Sequence, residues 1–554
     1  MSQSDSSSTP TPAGLKLDNL PKKPQPNSPM SRQHGFVPYN SLVTPLLTDM
    51  YQVTMCYAYW KANRHEEHAV FELFFRKNPF QGEFTLFCGL EEVLRFVSSF
   101  EFSKSDIEYL ETVLPNCDPK FLEWLADVDT SKVTLHSMEE GSVVFPRLPL
   151  IRVEGPLGIC QLLETTLLNL TNFSSLIATN AQRMRLAAGA DKKLLEFGLR
   201  RAQGPDGAMT ASRYACVGGF DGTSNLLAGK LFNVGVAGTH AHAFVSSFRT
   251  VADLASTKMG DEEFWEDVEK KREELGFTNT NTSELVAFVA YAQAFPDSFL
   301  ALVDTYDTLH SGVPNFICVA LVLRDKFQRK PVGIRLDSGD LSYLSRQARQ
   351  MFKKYGLEKA IIVASNDINE DVLQSLSKQG HEIDSFGIGT NLVTCQAQPA
   401  LGMVYKLVEC NGQPCVKLSN EFEKTTLPGK KRVYRLIGKD SVALVDLMKH
   451  ADEPAPRPGE TIRCCHPFVE RKRCDVRPSE VIEILKPVFQ DSKVLVPMNS
   501  VEDARKRVQK QMSILREDHV RSLNPAPYKV SISESYAVFA RELWQANQPI
   551  ELFE

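Results

Sequence analysis

Gly333-Ile334-Arg335-Leu336-Asp337-Ser338-Gly339-Asp340 decides how this chain is read. An apolar run from Pro331 to Ile334 delivers an arginine and an aspartate to its end. Ser338-Gly339-Asp340 then turns the chain into a helical pattern that Asp340 can cap. Leu341, Leu344, Ala348 and Phe352 recur at helical spacing, and Gly356 follows as a stop. A cation, carboxylates and a hydroxyl therefore gather at the carboxyl end of a buried strand, where ligands bind in βα architectures. An arginine there suits an anionic or aromatic ligand, and the aspartates suit Mg²⁺ or ribose hydroxyls.

The unit repeats on both sides. Ala360 to Ala364 ends in Ser365-Asn366-Asp367, with a helix expected from about Asn369 to Lys378. Asp384 to Ile388 ends in Gly389-Thr390-Asn391. Upstream, Leu194 to Gly198 ends in Arg200-Arg201, Val234 to Ala237 in Gly238-Thr239-His240-Ala241-His242, and Phe299 to Val303 in Asp304-Thr305-Tyr306-Asp307. Apolar runs without alternation, separated by helical patterns, predict parallel strands buried on both faces. Residues from roughly 190 to 400 read as a βα barrel.

The chain has 554 residues, which is too long for one core. With a net charge of −5 it has no global pull toward nucleic acid or anionic membrane. No run approaches the ~18 apolar residues needed to span a bilayer. The Ser-, Pro- and Thr-rich start lacks a secretory pattern and reads as disordered. The twelve cysteines have no framework spacing, so they are expected to be reduced thiols of a cytosolic protein. Cys464-Cys465-His466 with Cys474, and Cys410 with Cys415, give no clean CxxC pair and do not predict zinc. Outside the barrel, a helix is expected over Val43 to Trp60, opened by Thr48-Asp49, and another over Pro156 to Ser175. A hairpin should turn at Asn411-Gly412 between Met403–Cys410 and Val416–Ser419. A charged helix should run from Val501 to Ser522.

His242 falls in the first turn of a helix after a strand, where backbone donors favour phosphate and suit a nucleophilic imidazole. A lone histidine is more often a core or capping residue, and His240 competes for the role. Gly387-Ile388-Gly389-Thr390 could aim amides at a phosphate, or could be only a tight turn. Arg200 and Arg201 could clamp a carboxylate or form rim ion pairs.

Six motifs occur in order. They are Leu47-Thr48-Asp49-Met50-Tyr51-Gln52, Phe75-Arg76-Lys77-Asn78-Pro79-Phe80, Glu196 through Gly204, Gly238 through His242, Arg335 through Asp340, and Pro428-Gly429-Lys430-Lys431. From about Leu42 to its end the chain resembles the nicotinate phosphoribosyltransferases of eukaryotic type. The resemblance implies an α/β fold, an incomplete parallel α/β barrel with an open-faced β-rich sandwich domain built from flanking N- and C-terminal segments. The boundaries it suggests are a disordered tail over 1–40, an N-terminal sandwich part and connecting helix over 41–185, the barrel over 186–402, and a C-terminal sandwich part with a helical tail over 403–554. It implies that nicotinate and phosphoribosyl pyrophosphate are joined to give nicotinate mononucleotide and pyrophosphate, for NAD synthesis. ATP is a co-substrate, Mg²⁺ (or Mn²⁺) is required, and the active form is a homodimer with shared sites. His242 matches the histidine that ATP phosphorylates, Phe197 the aromatic stacked on the pyridine, and Tyr51 a tyrosine from the partner subunit. Arg200, Arg335 and Asp337 match residues around base, ribose and phosphates, and Gly387, Gly389 and Thr390 the phosphate loop. Thr239 and Asn225 are further substrate-binding candidates.

Three alternatives remain at this level. A nicotinamide-using relative shares the Arg-x-Asp-Ser-Gly-Asp turn, but is expected to place an aspartate where this chain has the uncharged Ser224-Asn225, with Asp221 nearby as the competing carboxylate. A phosphosugar isomerase or aldolase on a complete barrel would need a catalytic Lys or Glu at a strand end, and the strand ends offer none of the right kind. A non-catalytic descendant is disfavoured because every charged strand-end residue of the motifs is present.

Overall fold

The computed structural model describes residues 36–419, 421 and 424–548, so the expected disordered tail lies outside the described residues up to position 35. The fold is mixed α/β, and the chain divides into two compact units. One holds residues 180–396. The other combines the described residues before 180 with those from 397 onward.

The first unit is built on a six-stranded sheet in the order Leu300–Leu302, Gly333–Leu336, Ile361–Ala364, Ser385–Ile388, Lys193–Glu196, Gly222–Thr223. Every pairing is parallel. Val236 adds a single parallel bridge to Thr223, in place of the strand expected over 234–237. The unalternating apolar runs are explained by burial: Leu194, Leu300, Leu302, Ile334, Leu336, Ile362, Ala364, Phe386 and Ile388 are all buried. Helix Leu341–Lys354 is capped by Asp340, whose carboxylate accepts from Tyr343 N at 2.9 Å. Leu341, Ala348 and Phe352 are buried, and Gly356 takes the left-handed conformation (φ 68°) that ends the helix.

The second unit has a seven-stranded antiparallel sheet that interleaves early and late segments. His68–Phe75 pairs with Ile151–Pro156 on one side and Met403–Cys410 on the other. A further six-stranded sheet comes entirely from residues 431–533. Lys431, 1% exposed, pairs with Glu72, 3% exposed, at 2.8 Å and also donates to the carbonyls of Leu427 and Gly429, so the buried ammonium has three acceptors.

Several boundaries differ from expectation. The helix expected from Val43 starts at Met50; Pro45 disfavours helical geometry at Thr44. The run from Pro156 is two helices, Leu157–Leu162 and Glu164–Ala188. The Asn411-Gly412 turn forms, with both residues left-handed, but the return strand is only Gln413–Pro414. Pro414 has no N–H for a ladder. The helix from Val501 ends at Ser513. All twelve cysteines are free thiols. Among the described residues no helix is long and apolar enough to cross a membrane.

Candidate active site

Polar residues follow each strand of the parallel sheet at its carboxyl end, and they converge. Arg335 leaves strand Gly333–Leu336 with its side chain 16% exposed. It donates to the Thr239 hydroxyl at 3.2 Å and lies 3.8 Å from Asp337 Oδ2. Its Nε is buried with no hydrogen-bond partner among the described residues. Burial lowers the Arg335 pKa, opposed by Asp337 and Asp304. An arginine held in place by Thr239 with its side chain still partly exposed suits an anionic ligand.

His242 opens the short helix His242–Ser247 and is half-exposed. Its Nδ1 is 3.1 Å from the Thr305 hydroxyl, which orients the ring. Its Nε2 faces two carboxylates, Asp337 Oδ2 at 3.8 Å and Asp304 Oδ1 at 3.9 Å. Asp304 was not among the sequence-derived site residues, although the run Phe299–Val303 had placed it at a strand end. Its side chain is 2% exposed. Asp304 Oδ2 accepts from Asp337 N at 3.0 Å and Ser338 Oγ at 2.6 Å, so it shapes the Asp337 turn, while Oδ1 has no hydrogen-bond partner among the described residues. Ser365 Oγ, from the next strand end, donates to Asp337 Oδ1 at 2.8 Å.

His240 is placed quite differently. It is buried, its ring packs against Tyr291, Phe244 and Phe288, and its Nε2 accepts from Leu302 N at 3.3 Å. Burial pushes its imidazole down to about 4. A neutral imidazole whose lone pair is taken is placed as a packing element, whereas His242 is half-exposed beside Asp304 and Asp337.

Phe197 follows strand Lys193–Glu196 and is half-buried; its N–H donates to Ile388 O at 2.8 Å. A Cβ on Gly387 would lie 2.4 Å from the Phe197 ring. Gly387 therefore leaves room for the aromatic ring, in addition to the close phosphate approach expected of it. Gly387→Ala should tilt or expel the Phe197 ring. We expect KM for a ring-stacked ligand to rise about tenfold or more with little loss of thermal stability. An unchanged KM would show that Phe197 does not hold the ligand. Gly389 and Thr390 form the turn into helix Thr390–Val393 beside Phe197. Arg200 sits exposed in the short 3₁₀ turn Leu199–Arg201, close enough to Arg335 for the two charges to interact.

Asn225 is buried. Its Oδ1 caps helix Leu226–Phe232 at Ala228 N and its Nδ2 donates to Ser212. Asp221 stands at the amino end of strand Gly222–Thr223, bonded to Arg185 and Leu194 N, whereas Ser224 follows the carboxyl end. Tyr51, on helix Met50–Lys61 of the other unit, is 47% exposed.

A family model described as nicotinate phosphoribosyltransferase (NAPRTase) matches residues 192–451, and models of that family's N-terminal and C-terminal domains match 46–172 and 430–539. The nicotinate phosphoribosyltransferase of Dictyostelium discoideum is 54% identical, covering 93% of this chain and 90% of that protein. The Homo sapiens protein of that name is 44% identical, over 91% and 97%. The crystal structure of human nicotinic acid phosphoribosyltransferase superposes with a TM-score of 0.81 at 41% identity, covering 90% of this chain and 99% of that one.

Proposed function

The chain belongs to the nicotinate phosphoribosyltransferase family, and we propose that it joins nicotinate to phosphoribosyl pyrophosphate with ATP hydrolysis coupled through His242. The supporting observation is one cluster: a partly exposed Arg335 beside Asp337, and a histidine whose Nε2 faces Asp304 and Asp337. In ribosyl transfer the pyridine nitrogen attacks the sugar C1 as the C1–O bond to pyrophosphate breaks. Positive charge develops on the ribose, which the carboxylates stabilise, and negative charge develops on the leaving group, which Arg335 receives. Phe197 stacks on the ring and Arg200 meets its carboxylate.

ATP enters through His242. With Nδ1 turned to Thr305, the Nε2 lone pair attacks the γ-phosphorus, and the bond to ADP breaks with its electrons leaving on ADP. Water later cleaves the P–N bond to release phosphate. Mg²⁺ fits the residues present. Among the described residues no cluster of three or more His, Cys, Asp or Glu could hold a metal alone. Mg²⁺ commonly uses one or two carboxylates plus substrate phosphates, and the unpartnered Asp304 Oδ1 with Asp337 Oδ2 would hold it. The ion would neutralise phosphate charge.

The parallel sheet, with its strands in this order, is read as an incomplete barrel and the second unit as an open-faced sandwich. The homodimer, with Tyr51 of each subunit completing the other's site, and the cytosolic location belong to the same reading. Sedimentation at working concentration should give a dimer; a fully active monomer would refute sharing of Tyr51. The central test is substrate choice. With phosphoribosyl pyrophosphate and Mg²⁺, nicotinate should be used at least about 10²-fold better than nicotinamide by kcat/KM, because arginine favours the ring carboxylate and Ser224 brings no aspartate. Comparable values for the two bases would overturn the assignment.

A further inference from the structure

Glu196 ends strand Lys193–Glu196 with its side chain fully buried. Its partners are neutral donors. It accepts from the Gly198 N–H, from the Ser212 hydroxyl at 2.8 Å and from the Thr223 hydroxyl at 2.5 Å. Each donor lies on a different piece of the site. Gly198 is in the turn joining Phe197 to Arg200, Ser212 is on helix Gly204–Val217, and Thr223 immediately precedes Ser224. Asn225 closes the ring of bonds. Its Nδ2 donates to Ser212 Oγ at 3.1 Å and its N–H to Thr223 Oγ1 at 3.0 Å. Because both hydroxyls accept from Asn225, both turn their protons toward Glu196. The Ser224 N–H also donates to Glu196 O at 2.9 Å.

The two turns so joined are the ones that face the base in the proposed reaction. One carries Phe197 and Arg200, and the other carries Ser224. We propose that Glu196 is a positioning residue for the pyridine, clamping the Phe197–Arg200 turn to the Thr223–Asn225 turn and so setting the slot that selects a ring carboxylate over a ring amide. This inference rests on the assignment of Phe197, Arg200 and Ser224 to the base. A buried acceptor-only group suits the task. It satisfies three donors at once, and bidentate recognition by arginine tolerates little slack.

Glu196→Gln keeps the shape but turns one acceptor into a donor. Placed toward Gly198, the amide meets a backbone N–H that cannot reverse. Placed toward the hydroxyls, it meets two protons held in position by Asn225. The expected result is a rise of about tenfold in KM for nicotinate, with kcat within about threefold and KM for phosphoribosyl pyrophosphate within about twofold. The nicotinate-to-nicotinamide ratio of kcat/KM should fall about tenfold. Ser212→Ala, which removes one donor and keeps the carboxylate, should move the same two quantities in the same direction by about threefold, and it decides the matter if the glutamine variant does not fold. A purely structural role would raise both KM values together and leave the base ratio unchanged. Variants that keep the wild-type base ratio, or that raise both KM values equally, would overturn the proposal. Failure of the wild-type protein to use nicotinate would instead strike the proposed function.

Discussion

Replacing His242 with alanine is expected to abolish ATP hydrolysis and leave mononucleotide synthesis from phosphoribosyl pyrophosphate measurable. The ATPase should fall at least about 10³-fold, as when a nucleophile is removed, while ATP-independent synthesis should stay within about tenfold. The asymmetry follows from the geometry. His242 Nε2 faces Asp304 and Asp337, and its Nδ1 is oriented by Thr305, so the ring is set for attack on phosphorus. Arg335, the aspartates and Phe197, which serve ribosyl transfer, remain in place. In the wild type, incubation with labelled ATP should leave a protein-bound phosphate that is stable to alkali and lost in acid, as expected for a phosphoramidate. His240→Ala should retain that label. Its damage should appear in the melting temperature, because it removes a buried ring from the cluster with Tyr291, Phe244 and Phe288. Retained ATPase in the His242 variant, or label lost only in the His240 variant, would refute the coupling mechanism.

The sequence reaches strand ends more surely than it reaches contacts. Arg335, Asp337 and His242 could be placed at strand ends because an apolar run followed by polar residues and a helical pattern marks the carboxyl end of a parallel strand, whereas Phe197 was singled out only by the family resemblance. The Asp340 cap was legible because capping is local chemistry. What spacing does not carry is the partnering of side chains from different strand ends. Asp304 stood in plain view at its strand end, but its role appears only when Oδ2 is seen bonding the Asp337 turn and Oδ1 is seen left over beside His242. Gly387 looked like a phosphate-loop glycine, while the structure gives a second reason for it in the Phe197 ring. The two histidines two residues apart are separated by burial, a tertiary property. Asn225 was read by its lack of charge, and the structure uses both ends of its amide in the scaffold.

Asp304→Asn separates the charge of that residue from its scaffolding. The carboxylate does two things. Oδ2 holds Asp337 N at 3.0 Å and Ser338 Oγ at 2.6 Å, and Oδ1 points into the site, 3.9 Å from His242 Nε2. An asparagine can put its carbonyl oxygen in the first position and satisfy both donors, so the Asp337 turn should survive and the melting temperature should change little. Its amide nitrogen then takes the place of Oδ1 and cannot bind a hard cation. Ribosyl transfer and ATP hydrolysis should both fall, each by about 10²-fold or more, and the Mg²⁺ concentration giving half-maximal rate should rise. Asp304→Ala, which also frees the turn, should be less stable as well as inactive. The comparison is informative because the two variants lose the same charge and differ in the two hydrogen bonds to Asp337 and Ser338. If the asparagine variant keeps full activity with an unchanged Mg²⁺ requirement, Asp304 is scaffold alone and the metal is held elsewhere. If instead it loses activity while the Mg²⁺ requirement stays fixed, its carboxylate acts directly on His242 or on the ribose, and only Asp337 remains to hold the ion.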